Sequence, residues 1–284
     1  MKISKSILLI LSLLPCAYVH IGTCQDTQVE TLINKISPKG SFEQYMLKEE
    51  LSIDDNYFFS KIPAFWVDGH ENIYLIEGRE REVRVFNDRG EFLRKFGRKG
   101  QGPGEWIYPT YIYENNKILY VVDGGNKKIS RYKIDGTFIS DVRISVKAVP
   151  GALYVNSDGN YILLCLKFTD SDDLCILVEI NPKGEIINKS KEYIWQKRKW
   201  IASENGFVQV PLPFAPSGYI AYNKHINKIY YGFSDRYEIK VLNSDFSEVL
   251  LIQNEASPYK VLSSERKKYM KMYHKKGEMK SKSN

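Results

Sequence analysis

Short apolar runs separated by glycine-containing polar turns recur along the chain. In the first complete unit, residues 62–67, 72–76, 82–87 and 91–97 read as four strands. They are parted by turns at Asp68-Gly69, at 78–81 and at Asp88-Arg89-Gly90. Asp-Gly and Asp-x-Gly steps supply the positive φ that tight hairpins need. The second unit repeats the plan with strands at 109–113, 118–122, 128–133 and 137–143, and turns at 123–126 and Asp135-Gly136. A third starts at Val149-Pro150 and runs through 161–167, 174–181 and 185–188. A fourth starts at Gly218 and runs through 228–232, 237–242 and 248–253. Tyr74, Tyr120, Tyr161 and Tyr230 mark the second strand of each unit, 46, 41 and 69 residues apart. The first two steps suit a four-stranded blade. The third leaves room for an inter-blade insertion over 189–216, which holds Trp195, Trp200, Pro211, Pro213 and Pro216.

Four-stranded antiparallel units at this period predict an all-β chain and a β-propeller. A β-sandwich is the alternative, but sandwiches do not repeat a glycine-marked unit at a fixed period. Residues 41–53 add one or two strands ahead of the first unit. Residues 72–106, with the signature Phe-Gly-x-x-Gly-x-Gly-Pro-Gly-Glu-aromatic, resemble an NHL repeat, and 119–135 resemble the next one. The likeness is to an exported bacterial six-bladed β-propeller family. With four complete units in view, the ring is expected to be incomplete or open. The family resemblance implies a non-enzymatic binding scaffold of the cell envelope. The alternative is a metal-dependent hydrolase or lyase of the gluconolactonase or amidating-lyase type, which also uses propellers and holds a central metal on inward Glu, Asp, Asn or His.

Composition fits this class: of 284 residues, 43% are hydrophobic and 20 are Tyr. Aromatic enrichment favours strands. The formal charge of +7 is misleading by itself. Residues 265–284 hold eight Lys or Arg against Glu265 and Glu278, so they carry +6 of it. Lys2 and Lys5 lie in the leader, which leaves the body at about −1, and no nucleic-acid partner is expected.

Lys2 and Lys5 precede an apolar run over 7–14, then Pro15 and mixed residues up to Cys24, the order of a secretory signal. Residues 1–24 are thus expected as a signal peptide and the chain as exported, to the periplasm, outer envelope or extracellular space. Cys24 follows Ile21-Gly22-Thr23, part of a lipobox in which Thr departs from the usual small residue. Ordinary cleavage near Cys24 is the simpler reading and lipidation of Cys24 the other. Residues 25–40 read as a polar tether, 41–256 as the blades, and 257–284 as a basic helix and tail. That helix, with Tyr259, Leu262, Tyr269, Met272 and Tyr273 on one pattern and Ser263 as cap, is either a solvated tail or a contact for anionic lipid or nucleic acid.

Candidate chemistry is sparse. The run from Gly97 to Gly104 invites a phosphate-loop reading, but Glu105-Trp106-Ile107-Tyr108-Pro109 follows in place of Lys-Ser/Thr and a helix. It reads as the crossing between two blades. His20, His70, His225 and His274 are scattered, and no Gly-x-Ser-x-Gly elbow is present. No cofactor is expected. Asp170, Asp172 and Asp173 form an acidic hairpin tip and not a calcium loop. Cys165 and Cys175 flank that hairpin and are either a disulfide across the strands or two buried free thiols. Asn188-Lys189-Ser190 fits a glycosylation acceptor. Strand alternation puts second-to-third-strand turns and inter-blade crossings on one face. Arg79, Arg81, Arg98, Lys99, Gln101, Trp106, Tyr108, Asn126 and Lys127 fall there. Cations beside aromatics suit an anionic small ligand, a carbohydrate or a protein partner, unless they form a solvated rim.

Overall fold

A computed structural model describes residues 29–34, 51–53, 59–203, 206–211, 215–254, 262–265 and 267–268. The leader, Cys24 and 269–284 lie outside the described residues. Blade 1 comprises β2 (Phe65–Val67), β3 (Ile73–Glu77), β4 (Glu82–Phe86) and β5 (Phe92–Phe96). A short parallel pair follows, β6 (Arg98–Lys99) with β7 (Glu105–Trp106). Blade 2 comprises β8 (Pro109–Asn115), β9 (Ile118–Asp123), β10 (Lys128–Lys133) and β11 (Phe138–Arg143). Blade 3 comprises β12 (Val149–Val155), β13 (Tyr161–Phe168), β14 (Asp172–Ile180), β15 (Ile186–Ser203) and β16 (Gly206–Pro211). Blade 4 comprises β17 (Gly218–Asn223), β18 (Lys228–Phe233), β19 (Glu238–Leu242) and β20 (Glu248–Asn254).

Within each blade the strands pair antiparallel in chain order, as the alternation predicts. The second strands are continuous apolar runs, Ile73–Glu77 being buried at every position. Such a strand needs cover on both faces, and face-to-face blade packing provides it. Tyr74, Ile76, Val83 and Val85 of blade 1 meet Trp106, Ile112, Leu119, Val121 and Tyr132. Blade 2 turns Tyr113, Tyr120, Val122 and Ile129 toward Leu153, Tyr161, Leu163 and Val178 of blade 3. Ile162, Leu164, Leu177 and Tyr193 of blade 3 pack on Ile229, Tyr231 and Leu242 of blade 4. On the other side of blade 1, Ile73, Leu75 and Phe86 are covered by Leu51, Ile53 and Phe59. The fourth strands are the exposed ones, with Phe92, Leu93, Phe138 and Ile139 in water.

Two segments depart from the sequence expectation. β1 (Glu30–Asn34), from the stretch read as tether, lies parallel to β20 as a fifth strand of blade 4. Its Thr31, Leu32 and Ile33 are half-buried there. Residues 189–203, read as part of an insertion between blades, continue β15, which pairs first with β14 and then with β16. The supposed insertion is therefore largely a hairpin grown from blade 3. Of the helix expected over 257–284, described helix is confined to 263–265 and to Lys267 and Lys268. The Glu265 carboxylate accepts the Leu262 N–H at 2.7 Å. That places the cap at Leu262 and Ser263 inside the helix.

Candidate functional site

The crossing from blade 1 to blade 2 is wound tightly on itself. Gly97 sits at φ 77°, and a Cβ there would lie 2.1 Å from Trp106 Cζ3, so only glycine lets the indole close over the backbone. The parallel pair β6–β7 brings the two ends of the loop together, and the Gly100 N–H donates to the Trp106 carbonyl at 3.0 Å. Glu105 fills the middle. Its carboxylate accepts the Gly102 N–H at 2.9 Å and Arg98 Nε at 2.7 Å. Those two donors hold the Glu105 carboxyl below the usual carboxylate range. A Cβ on Gly100 would lie 2.1 Å from Glu105 Oε2, so the loop closes only around glycine.

Blade 2 then takes hold of this loop from below. Lys128, Ser130 and Tyr132 alternate along β10 and so share one face. Lys128 Nζ donates to the Gly102 carbonyl at 2.7 Å and to Asp141 Oδ2 at 2.8 Å. Ser130 Oγ donates to Asp141 Oδ1 at 2.7 Å and accepts Trp106 Nε1 at 3.1 Å. The Tyr132 hydroxyl donates to the Gly104 carbonyl at 2.6 Å. Asp123, fully buried at the end of β9, accepts the backbone N–H groups of Ile107 at 2.9 Å, Tyr108 at 2.7 Å and Gly125 at 3.0 Å. Asn126 Nδ2 donates to the Gly100 carbonyl at 3.0 Å. Blade 1 ends its second strand in the same way. Buried Glu77 accepts Ser60 N at 3.0 Å, Ser60 Oγ at 2.6 Å, Arg79 N at 2.9 Å and Glu80 N at 2.6 Å. Burial raises its pKa, but the four donors outweigh that and the carboxyl is held low.

The nine residues assigned to the loop face therefore divide. Trp106 is fully buried among Phe96 and Tyr132 and presents nothing to a ligand. Asn126 braces the crossing, and Lys127 Nζ donates to the Val146 carbonyl at 3.2 Å. Arg98, Lys99, Gln101 and Tyr108 are exposed on the outside of the braced loop, Tyr108 by 51%. The turn at 124–127 and the crossing are brought together, Gly124 N–H donating to the Tyr108 carbonyl at 2.9 Å. Arg79 and Arg81 sit on the blade 1 turn, with no hydrogen bond or ion pair to the crossing among the described residues. The bracing groups Asp123, Lys128, Ser130, Tyr132 and Asp141 escaped the sequence reading. Their signal was a polar Lys-x-Ser-x-Tyr alternation at core positions of a strand.

Cys165 and Cys175 are free and do not face each other. Cys165 pairs with Ile176 and Cys175 with Leu166, so the register is off by one residue. Period two then sends the thiols to opposite sheet faces, one toward blade 2 and one toward blade 4. Burial pushes each thiol up to about 12. Asp173 is buried against Arg198 Nε at 2.6 Å. Asn188, the glycosylation candidate, donates its Nδ2 to Glu179 at 2.8 Å. Among the described residues no group of three or more His, Cys, Asp or Glu is placed to hold a metal ion.

Residues 55–277 match a family described as 6-bladed beta-propeller. The chain belongs to that family. No curated protein matches it. Among solved structures, the propeller is similar to a Bacteroides fragilis protein titled as a candidate exported protein. That likeness has 17% identity and a TM-score of 0.49 over 82% of this chain, and it spans 62% of the other chain's length. It is also similar to virginiamycin B lyase of Staphylococcus aureus, with 9% identity and a TM-score of 0.39 over 68% of this chain and 70% of the other.

Proposed function

We propose that this propeller is an exported, non-enzymatic scaffold of the cell envelope that binds an anionic ligand, a carbohydrate or a protein partner through its loop face. What supports the reading is the division of labour in the crossing. The carboxylates of this face, Glu77, Asp123 and Glu105, are taken up in holding backbone N–H groups. The groups left pointing outward are Lys99, Gln101 and Tyr108, with Arg98 exposed beside them but paired to Glu105. Cations and a phenol on a rigid base recognise sulfate or carboxylate groups and sugar faces without needing a proton shuttle. Export rests on the order of charge and apolar run in residues 1–24. Cys24 is the position to examine for lipidation.

Titration calorimetry with polygalacturonate and heparin oligosaccharides as probes tests the reading. The variant carrying Lys99→Ala, Gln101→Ala and Tyr108→Ala should bind at least about 10-fold more weakly, at an unchanged thermal midpoint. Equal binding by parent and variant, or no binding of either probe, overturns the anionic-ligand reading. A stoichiometric calcium or zinc ion in the purified protein, together with lactone hydrolysis, overturns the non-enzymatic one.

A further inference from the structure

We infer that the first strands of the four blades build an aromatic cage for an organic ammonium ion, a site separate from the loop face and independent of what that face binds.

β2, β8, β12 and β17 each give one ring to a continuous row. Trp66 of β2 stands 5.1 Å from Tyr113 of β8, with 70° between the ring planes. Tyr113 stands 6.2 Å from Tyr154 of β12, at 75°. Tyr154 stands 5.5 Å from Tyr222 of β17, at 40°. Every step crosses from one blade to the next. Strands follow chain order within each blade, and the fourth strands are the exposed, outer ones. The first strands are therefore the inner ones, and blades radiate from a central channel. A row that visits each inner strand in turn is an arc about that channel. The arc is not sealed into the core. Tyr113 is buried, but Trp66, Tyr154 and Tyr222 keep part of their surface open. Tyr111 backs Tyr154, its hydroxyl bonded to that of Tyr154. The Tyr222 hydroxyl donates to Asn227 Oδ1 at 2.8 Å. Trp66 Nε1 is buried without a hydrogen-bond partner, a donor that an oxygen of a ligand would satisfy.

Charge selects the ligand. Glu114 follows Tyr113 at the end of β8, and Asp158 lies on the turn from β12 to β13. Strand alternation puts both at the end of the blades away from the loop face. Neither makes an ion pair among the described residues. Glu114 accepts the Lys117 N–H at 2.7 Å, and Asp158 accepts Ser157 Oγ at 3.4 Å. Their fields reach the rings. Burial first, and after it Tyr222 and Glu114, push the Tyr113 hydroxyl up to about 12. Burial, followed by Asp158 and Glu179, raises that of Tyr222. An anion, the class suited to the loop face, is repelled here. A cation is drawn to the face of a Trp or Tyr ring within about 6 Å of its centre. Rings at steep angles meet it from several sides, and alkyl groups around an ammonium fill the apolar space between them.

The test titrates choline into the purified full chain by calorimetry at low salt. Its uncharged carbon isostere, dimethylbutanol, has the same shape and serves as comparison. Choline should bind, and the isostere at least about 10-fold more weakly. Tyr222→Leu should weaken choline binding about 10-fold, while Tyr222→Phe, which keeps the ring, should retain it. Glu114→Gln keeps an oxygen for the Lys117 N–H. It should weaken binding about 3-fold and flatten its dependence on salt, at an unchanged thermal midpoint. That variant carries the test if Tyr222→Leu lowers the midpoint. Absence of choline binding by the parent overturns the inference. So does equal binding of choline and the isostere, or choline binding indifferent to both Tyr222→Leu and Glu114→Gln. Neither result bears on the titration of the loop face with acidic glycans.

Discussion

Replacing Asp123 is the sharpest way to ask whether the crossing is held as described. Its carboxylate is fully buried and accepts three backbone N–H groups, at 2.9, 2.7 and 3.0 Å. Hydrogen bonds to a charged acceptor contribute about 1.5–3 kcal/mol each, and a buried donor left without a partner costs about 1–3 kcal/mol. Asp123→Asn keeps the shape. One oxygen still accepts Tyr108 and Gly125, but the amide now points a donor at a donor, and about 2–3 kcal/mol should be lost. Asp123→Ala removes all three acceptors, with water reaching part of the gap beside exposed Tyr108, and should cost about 3–5 kcal/mol. With a urea slope of roughly 2–3 kcal/mol per M, the midpoint should fall by about 1 M for Asn and about 1.5 M for Ala. Equilibrium urea unfolding followed by tryptophan fluorescence measures both. An Asn variant within about 0.5 kcal/mol of the parent would refute the view that this carboxylate holds the two blades in register.

Trp106→Ala should cost about 3–5 kcal/mol in the same assay, while Tyr108→Ala, a change on the surface, should stay within about 0.5 kcal/mol. Gly97→Ala puts a Cβ into the Trp106 ring at positive φ, and should lower stability by at least about 2 kcal/mol. The Glu77 carboxyl is held below its ordinary range by its four donors despite burial. Its contribution is thus full above the ordinary carboxylate range and is lost as pH falls through the lowered folded value. Urea midpoints taken from neutral to acid pH should show this loss, and Glu77→Gln should flatten it. Iodoacetamide followed by mass spectrometry should modify Cys165 and Cys175 only after unfolding, with both found as thiols. A mass two hydrogens lower in the native protein would contradict the register across β13 and β14.

The blades were legible because their signals are local. Asp135-Gly136 and Asp158-Gly159 announce hairpins, and runs such as Ile118–Asp123 are apolar at successive positions because blades cover both faces. β1 was not legible. Leu32 and Ile33 make a short apolar pair in a polar stretch, and what makes them a strand is β20, more than 200 residues away in sequence. The outer half of β15, residues 194–203, mixes Lys197, Arg198 and Lys199 with Trp195 and Trp200, which reads equally well as loop until β16 pairs with it. Strand direction alone puts the turn at 124–127 beside the crossing, where Gly124 N–H reaches the Tyr108 carbonyl. Which of the residues there face water was not legible, because that depends on the buried partners. Trp106 and Asn126 are consumed by Ser130 and Gly100, and neither bond leaves a mark in the local sequence. The cysteines show the same limit: one residue of register, set by the turn at 169–172, separates facing thiols from opposed ones.

The central claim is that the glycine-rich crossing is a rigid, load-sharing part of the fold whose outer side is left for binding. Native-state hydrogen exchange of its backbone amides tests this most directly. Ile107 and Tyr108, bound to Asp123, and Gly100, bound to the Trp106 carbonyl, should exchange as slowly as the amides of β9. Exchange of these three at the rate of an open loop, with β9 still protected, would contradict the account.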